Sequence, residues 1–399
     1  MAVPDCIPKK GVDASREACR VITQVLRADL KFEGFFQFVP ESLYAAIPPM
    51  NPDSPNFEDW KSIGAKVLVV TRAEATGGDI IVETKVYFVD SAQNPLRKSY
   101  TAKADNPRII AHQASDDIVA LTQNRGVART KIAFTSDRDA TKERRAKELY
   151  IVDYDGFNAR RMTVNMFLNI LPAWSPDGRS LAYTSYRTGS PEIFIASIFE
   201  GKSANLTAGK AGQAFAPSWS PDGKRIAYAS NKSGNMEIWI ANADGTEAKR
   251  LTSSPGSDTA PCWSPTGQEI AFTSSRSGSP QIWVMDTEGL NVRRLSTVGN
   301  YNDAPAWNPS KQFSEIAYTS RLEAGFEIAV VDLATRQVRQ ITQGRGSCEY
   351  PSWAPNGRHL VFGCSRGQNW QITVSDRMGA EVQALATGPG NNVQPDWGP

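Results

Sequence analysis

The sequence predicts a multidomain protein of α/β plus all-β class, with a small N-terminal α/β domain over residues 1–125 and a six-bladed β-propeller over residues 126–399. Three observations support the propeller. A tryptophan-containing turn recurs six times, short β-rich segments recur at matching positions, and the chain enters and leaves the repeat at complementary strands. The repeat length of 44–46 residues is the size of one propeller blade.

The first strand of each repeat carries a Pro-x-Trp sequence, and a bend such as Ser-Pro-Asp-Gly follows most of the tryptophans. Proline ends the preceding segment, tryptophan fills space between neighbouring blades, and the bend forms a hairpin. We therefore interpret these residues as scaffold. The six tryptophans are Trp174, Trp219, Trp263, Trp307, Trp353 and Trp397.

Three further segments complete each repeat. A third strand such as 237–242 ends in a turn such as Asp244-Gly245, and a fourth strand is brief, as in 249–252. Four short antiparallel strands leave no room for a crossover helix. The second strands are predicted at 132–136, 181–185, 226–230, 270–274, 316–320 and 360–364.

The two ends of the repeat complement each other. The chain enters at the second-strand segment 132–136 and leaves at a lone first-strand segment, 394–397. We expect these segments to pair in one sheet, because the first blade would otherwise lack its innermost strand and keep open edges. The C-terminal strand would then close the propeller.

Periodic apolar residues predict the elements of the N-terminal domain. A helix capped by Asp13 carries an apolar stripe, a β-hairpin turns at Gly77-Gly78-Asp79, and a second helix covers roughly 107–123. A proline-rich loop is expected over 50–55. The stripe of the first helix consists of Ala18, Ile22, Leu26 and Leu30.

Composition excludes several classes of function. The chain has 44 Lys plus Arg against 42 Asp plus Glu, so no overall attraction to nucleic acid or an anionic membrane is expected. It has no apolar run long enough to insert in a membrane, and residues 1–10 lack the layout of an export signal. We expect a soluble monomer.

The cysteines and histidines do not suggest a metal site. Five cysteines without CxxC spacing and two histidines offer few ligands for a transition metal. Cys348 and Cys364 lie at equal distances from Asn356, so antiparallel pairing would bring them face to face, either as a disulfide or as two buried thiols. Cys6 and Cys19 are a second, less supported pair.

Sequence motifs of catalysis are missing. The chain has no Gly-x-Ser-x-Gly, no phosphate-binding Gly-x-x-x-x-Gly-Lys-Ser/Thr and no His-Glu-x-x-His. Asp153-Tyr-Asp155-Gly156 resembles the start of a calcium loop, but it lacks the distal Glu and lies where a hairpin turn belongs. We expect no catalytic residue, no cofactor and no metal.

A basic residue follows the end of each second strand. Loops between second and third strands share one face of a propeller with the loops that precede the first strands. The six cations would therefore ring one mouth of the channel and attract an acidic protein segment. Alternatively, each pairs with a nearby acid such as Glu192, Glu237 or Glu327 and stiffens its own loop. The residues are Arg138, Arg187, Lys232, Arg276, Arg321 and Arg366.

The repeated Trp-Ser-Pro-Asp-Gly, Ile-Ala-Tyr-Thr-Ser and Glu-Ile-Trp-Ile-Ala segments, and the order of the two domains, resemble the TolB family. The resemblance implies a periplasmic protein of the Tol-Pal complex, with a role in outer-membrane integrity, protein transport and constriction during cell division. It also implies that the propeller mouth binds the peptidoglycan-associated lipoprotein Pal. The corresponding positions are Gln213, Ala216, Asp258, Thr259, Ala260, Asp303 and Ala304.

Two departures from the family accompany this resemblance. Gln213 and Ala260 stand where the family has a histidine and a glutamate, so the partner's surface or affinity is expected to differ. The export signal and the flexible N-terminal extension that contacts TolA in the family are expected before Val3-Pro4 and are not visible. TolA contact is therefore assigned to no residue.

The leading hypothesis is a non-enzymatic adaptor that holds a lipoprotein domain at its propeller mouth. One rival is a propeller enzyme, or a protein that binds a carbohydrate or another small ligand there. An aromatic-lined pocket with paired carboxylates would favour that rival. We expect mouth residues that are mostly small, polar or cationic. A third hypothesis is a cytoplasmic scaffold.

Overall fold

The computed structural model describes residues 1–9, 13–209, 212–322, 325–344, 346–367 and 369–399. They form two compact units, Met1–Arg129 and Thr130–Pro399. The side chains of Asp13, Ala14 and Arg366 lie outside the described groups.

The N-terminal unit is a four-stranded sheet with helices, in the pairing order β1-β2-β3-β4. Strand β1 is parallel to β2 and the other pairs are antiparallel. The elements are β1 (Ile7–Pro8), α1 (Asp13–Phe32), a 3₁₀ turn (Glu41–Ala46), α2 (Phe57–Ser62), β2 (Val67–Thr76), β3 (Asp79–Phe88), β4 (Gln93–Lys103) and α3 (Arg108–Ala120).

The predicted helices and hairpin of this unit are confirmed, with α1 beginning at Asp13 itself. Ile22, Leu26 and Leu30 of α1 are fully buried in one cluster with apolar residues of the sheet and of α3. The predicted cap by Asp13 depends on a side chain outside the described groups. Strand β4 was not predicted, because most of its residues are polar and exposed.

The described part of Thr130–Pro399 forms six four-stranded antiparallel sheets, the strand arrangement of a β-propeller. In five of them the strands follow chain order. These are β8 (Asn169–Trp174), β9 (Ser180–Ser185), β10 (Glu192–Ser197) and β11 (Ser203–Asn205); β12 (Ala214–Trp219), β13 (Arg225–Ser230), β14 (Glu237–Asn242) and β15 (Lys249–Arg250); β16 (Asp258–Trp263), β17 (Glu269–Ser274), β18 (Gln281–Asp286) and β19 (Arg293–Arg294); β20 (Asn302–Trp307), β21 (Glu315–Leu322), β22 (Gly325–Asp332) and β23 (Val338–Gln340); β24 (Cys348–Trp353), β25 (His359–Arg366), β26 (Asn369–Asp376) and β27 (Val382–Ala384).

The remaining sheet contains both ends of the repeat region. Strand β28 (Asn392–Trp397) pairs with β5 (Lys131–Ser136), which is followed by β6 (Glu148–Asp153) and β7 (Arg160–Arg161). In this pairing Trp397 lies opposite Ile132 and Asn392 opposite Ser136. First strands of consecutive sheets contact one another in the order β8, β12, β16, β20, β24, β28 and back to β8.

Burial explains the composition of the strands. Second strands are almost fully buried on both faces, so they consist of apolar residues followed by small hydroxyl residues, as in Ile-Ala-Phe-Thr-Ser. Fourth strands have only two or three residues, which are exposed or half-buried. Short outer strands limit pairing with other molecules at the sheet edges.

Four of the five cysteines are paired. Cys348 and Cys364 lie directly opposite each other on β24 and β25 and form a disulfide. Cys6 forms a second disulfide with Cys19 of α1. The Cys262 thiol is free and accepts a hydrogen bond from the Trp307 backbone N–H at 3.2 Å, while burial raises its pKa to about 11.

Asp396 connects β28 to the sheets on both sides. Its Oδ2 accepts a hydrogen bond from the Trp174 backbone N–H at 2.7 Å, and its Oδ1 accepts one from Ser352 Oγ at 2.8 Å. Ser352 Oγ in turn accepts from the Trp397 backbone N–H at 3.0 Å. Burial raises the pKa of the Asp396 carboxyl to about 6, although these two bonds favour its charged form.

We predict that Asp396 makes the protein less stable as the pH rises. A carboxyl with a folded-state pKa of about 6 and an ordinary unfolded value binds its proton more tightly when folded. The contribution of Asp396 to the free energy of unfolding is therefore fully present below about pH 4 and is lost as the pH rises through 6. The loss is at most about 1.4 kcal/mol per pH unit. Between pH 4 and 6.5, the wild type should lose unfolding free energy relative to Asp396→Asn.

Asp222→Asn is the matched control, because a hydrogen bond from Ser220 lowers the pKa of Asp222. A lowered pKa reverses the sign, so the wild type should gain stability relative to this variant as the pH rises toward about 4, and the difference should stay constant between pH 4 and 6.5. Denaturant unfolding at several pH values measures both differences. A pH-independent difference between wild type and Asp396→Asn would contradict the assignment.

Candidate functional site

Each first strand has a bulge at the same place. The pairing with the second strand shifts register there, and the residue before the proline has a positive φ. Such a backbone costs about 1–2 kcal/mol for a residue other than glycine, so its recurrence in every sheet marks a required geometry. These residues are Leu171 (φ 54°), Ala216 (49°), Ala260 (47°), Ala304 (52°), Tyr350 (56°) and Gln394 (52°).

The bulges expose two residues of each first strand. In every first strand the residues on either side of the pair are buried, whereas the pair itself is half-buried. Bulges turn side chains away from regular pairing and are common at functional sites. We call these pairs the mouth: Ile170-Leu171, Phe215-Ala216, Thr259-Ala260, Asp303-Ala304, Glu349-Tyr350 and Val393-Gln394.

Most of the predicted partner-binding residues belong to the mouth or lie beside it. Gln213 precedes β12, is exposed, and donates its backbone N–H to Asn231 Oδ1 at 2.7 Å. Asp258 differs, because it is fully buried and its Oδ2 pairs with Arg276 at 2.7 Å. This placement argues against direct partner contact by Asp258. The predicted residues inside the mouth are Ala216, Thr259, Ala260, Asp303 and Ala304.

Threonines of the preceding sheet hold three of the bulges. Thr184 Oγ1 accepts the backbone N–H of Ala216 at 3.2 Å, and Thr319 Oγ1 accepts that of Tyr350 at 3.0 Å. Thr273 Oγ1 makes two bonds, since it accepts the Ala304 N–H at 3.2 Å and donates to Asp303 Oδ1 at 2.8 Å. Bulge geometry therefore depends on contacts between neighbouring sheets.

The predicted basic residues stack on aromatic rings of the next strand in their own sheets. The guanidinium or ammonium group lies 3.7–5.5 Å from the ring centroid, within the range of cation–π attraction. Arg321 is exposed, and the side chain of Arg366 is outside the described groups. The stacked pairs are Arg138 on Tyr150, Arg187 on Phe194, Lys232 on Trp239 and Arg276 on Trp283.

The described ion pairs do not include the predicted pairing of the basic residues with Glu192, Glu237 or Glu327. Carboxylates of Glu192, Glu237 and Glu327 accept hydrogen bonds from hydroxyl, amide or backbone groups of their own sheets. Arg276 instead pairs with Asp258. Arg138 donates to Asn392 Oδ1 of β28 at 3.0 Å.

Beside the predicted Asp303, the mouth contains a carboxylate and a phenol that were not predicted there, Glu349 and Tyr350. Asp303 and Glu349 are both half-buried, and none of the ion pairs among the described residues includes either of them. Tyr301 donates to Asp303 Oδ2 at 3.3 Å. Tyr350 adds a second phenol, whose pKa is raised to about 12 by burial and then by Asp303.

The expectation of mostly small, polar or cationic mouth residues is therefore wrong for the part of the mouth that contains Asp303, Glu349 and Tyr350. The signal that could have located Glu349 and Tyr350 was their position in the repeat. They occupy the two places before Pro351, as Thr259 and Ala260 do before Pro261.

Fold and mouth together define a β-propeller protein with an N-terminal α/β domain. Residues 119–399 match the family model of the TolB beta propeller domain, and residues 1–94 match the TolB amino-terminal domain. The chain belongs to the TolB family.

Similar proteins carry the same family name. The Tol-Pal system protein TolB of Roseobacter denitrificans is 37% identical over 240 residues, which is 60% of this chain and 54% of that protein. That of Ruegeria sp. is 36% identical over 262 residues, covering 65% and 58%. The chain thus spans little more than half the length of these curated relatives.

A solved structure extends the likeness to the whole chain. TolB from Acinetobacter baumannii superposes with a TM-score of 0.83 at 27% identity, covering 100% of this chain and 96% of that one. Among the described residues, none of the helices combines the length and apolar character needed to cross a membrane.

We predict that Thr273→Val destabilises the protein by about 0.5–1.5 kcal/mol, because it removes the hydroxyl that bonds to both the Ala304 N–H and Asp303, while Asp303 Oδ1 still accepts the Ala304 N–H at 2.7 Å. Thr135→Val is the matched control, since Thr135 occupies the same repeat position and its buried Oγ1 has no hydrogen-bond partner among the described groups. That control should be neutral or stabilising. Equal destabilisation of both variants in denaturant unfolding would contradict the role of the hydroxyl.

Proposed function

We propose that this chain is a non-enzymatic adaptor of the Tol-Pal envelope complex, and that its mouth holds the globular domain of a Pal-type lipoprotein. The mouth carries this proposal, because a half-exposed pair recurs in all six first strands, on strands that contact one another in sequence. Its close relatives are named as Tol-Pal system proteins. The proposed setting is the periplasm, and the proposed role is support of outer-membrane integrity, protein transport and constriction during division.

We further propose that the propeller is a six-bladed ring closed by its C-terminal strand. The pairing of β28 with β5 and the successive contacts of the first strands support this arrangement. A closed ring would hold the mouth residues of different sheets at fixed distances, which favours docking of a preformed partner surface. Residues 1–125 would form the separate α/β domain, which would position a second partner or transmit to it.

The chemistry of the mouth supports close docking. Ala216, Ala260 and Ala304 have side chains that end at Cβ, so a partner's backbone can approach the bulges. Thr259 and Gln213 add hydrogen-bonding groups beside them. We also propose that the basic residues surround the mouth, where they would favour encounter with acidic segments of a partner, an effect that screening by salt reduces.

The rival function is a propeller enzyme or a small-ligand site at the same mouth. Tyr301, Tyr350, Asp303 and Glu349 are the specific observation in its favour, since aromatic rings with carboxylates are typical of carbohydrate sites. The adaptor is preferred because the relatives are named as components of an assembly. Titration with oligosaccharides in parallel with Pal would distinguish the two.

We predict that Ala216→Asp and Thr259→Arg each raise the dissociation constant for the Pal domain at least about tenfold, which is about 1.4 kcal/mol. Each inserts a long or charged group into a mouth position that is half-buried. Thr266→Arg is the control, because exposed Thr266 lies beyond the opposite end of strand β16. Calorimetry measures all three. Unchanged affinity of both mouth variants would refute the proposed site.

We predict that removal of residues 392–399 lowers the unfolding temperature by roughly 10 °C or more and abolishes Pal binding. Loss of β28 removes buried Trp397, and loss of one buried tryptophan side chain costs about 3–5 kcal/mol. Removing Pro399 alone retains the strand and serves as the control. An equally stable, binding-competent protein without these residues would overturn the closed ring.

A further inference from the structure

A cavity of about 340 Å³ opens beside the mouth, between the β24–β27 sheet and the sheet that contains β28. Its walls include Glu349 and Tyr350 from one bulge, Gln394 from the next, and Trp370 of β26. The volume is at the low end of the range for small-ligand sites, about 300–1,000 Å³. It therefore fits a side chain rather than a folded segment.

Gly363 leaves room for this cavity. It occupies the repeat position at which the other five second strands have Thr135, Thr184, Ala229, Thr273 and Thr319. A Cβ atom at Gly363 would meet Val393 Cα at 3.5 Å and Trp370 Cε3 at 3.7 Å, which are ordinary contacts, and no positive φ demands glycine there. Neither strain nor close packing of the backbone thus explains the glycine.

Glu349 brings negative charge to the cavity. None of the side-chain hydrogen bonds or ion pairs among the described residues satisfies its carboxylate. Burial raises its pKa, and the neighbouring Asp303 carboxylate raises it further. Lys147 also lines the cavity, but the described ion pairs do not join it to Glu349. The cavity therefore has a carboxylate and two aromatic rings, and the described ion pairs leave this carboxylate without a cationic partner.

Carboxylates bind cations through charge-assisted hydrogen bonds, and aromatic rings attract them through their faces. We propose that this cavity receives a lysine or arginine side chain of the protein that docks at the mouth. The inference rests on the proposed function, and it names one charged anchor within that interface. Anchors of this kind, enclosed in a pocket, carry a large share of binding energy in protein interfaces.

The test is Glu349→Gln, which keeps the shape of the side chain and removes its charge. The probe is the globular domain of the Pal-type lipoprotein from the same genome, titrated at 50 and 300 mM NaCl. Removing the Glu349 charge from an enclosed ion pair should raise the dissociation constant for the Pal domain at least about tenfold. It should also make that constant depend less on salt concentration. The variant should fold with unchanged or higher stability, because it removes repulsion from Asp303.

Glu381→Gln is the matched control. It makes the same charge change on the same sheet, at an exposed residue in the turn before β27. This turn lies at the end of the sheet where the second strand begins, whereas the mouth lies at the end where it finishes. Gly363→Thr is the second variant, since it fills the cavity without altering charge and should also weaken binding about tenfold. Ala229→Thr adds a hydroxyl-bearing side chain at the equivalent position of another sheet and should leave affinity unchanged.

The outcomes separate the two proposals. If the wild type does not bind the Pal domain, the proposed function fails. If the wild type binds and Glu349→Gln behaves like Glu381→Gln, the adaptor stands and the cationic anchor is wrong. Weak binding by both Glu349→Gln and Gly363→Thr, with both controls intact, supports the anchor.

Discussion

A residue held at positive φ directly before a proline is the constraint from which the mouth follows. In each first strand this residue breaks the regular pairing and exposes two neighbouring side chains. Without hydrogen bonds to hold it, the strained backbone would favour regular pairing or a frayed strand. Thr184, Thr273 and Thr319 provide such bonds from the preceding sheet. The shape of the mouth therefore depends on the packing between neighbouring sheets.

Departures from the repeat are more informative than the repeat itself. Five sheets have a neutral residue immediately before the first-strand tryptophan, whereas β28 has Asp396, which bonds to both neighbouring sheets. Five second strands have threonine or alanine where β25 has Gly363, and the cavity lies there. Each departure adds a charge or a space that the shared pattern does not provide.

Much of the fold could be predicted from the sequence, because periodic burial leaves a periodic pattern. The strand positions of the repeats and helix α1 are of this kind. Strand β4 was missed since its polar residues carry no such pattern. Opposed cysteines at 348 and 364 could be predicted to face each other, but spacing alone does not fix their oxidation state.

The candidate site was harder to predict because it depends on contacts between distant repeats. The pairing of basic residues with aromatic rings, rather than with Glu192 or Glu237, reflects side-chain direction across adjacent strands. Glu349 and Tyr350 lie directly before a Pro-x-Trp sequence. Because that sequence was interpreted as scaffold, its neighbours were not predicted to belong to the site. Asp258 was predicted to bind the partner, and its ion pair was not predicted because half-buried Arg276 is 18 positions away.

Joining the two ends of the repeat region in one sheet has a consequence for biosynthesis. Trp397 Nε1 donates to Thr130 Oγ1 across 267 positions of the chain. Closing a loop of that length costs about 5 kcal/mol of chain entropy before any contact forms. While the ribosome is still making the protein, strands β5 to β7 must wait for their fourth member, and an incomplete chain presents a bare edge to chaperones and proteases.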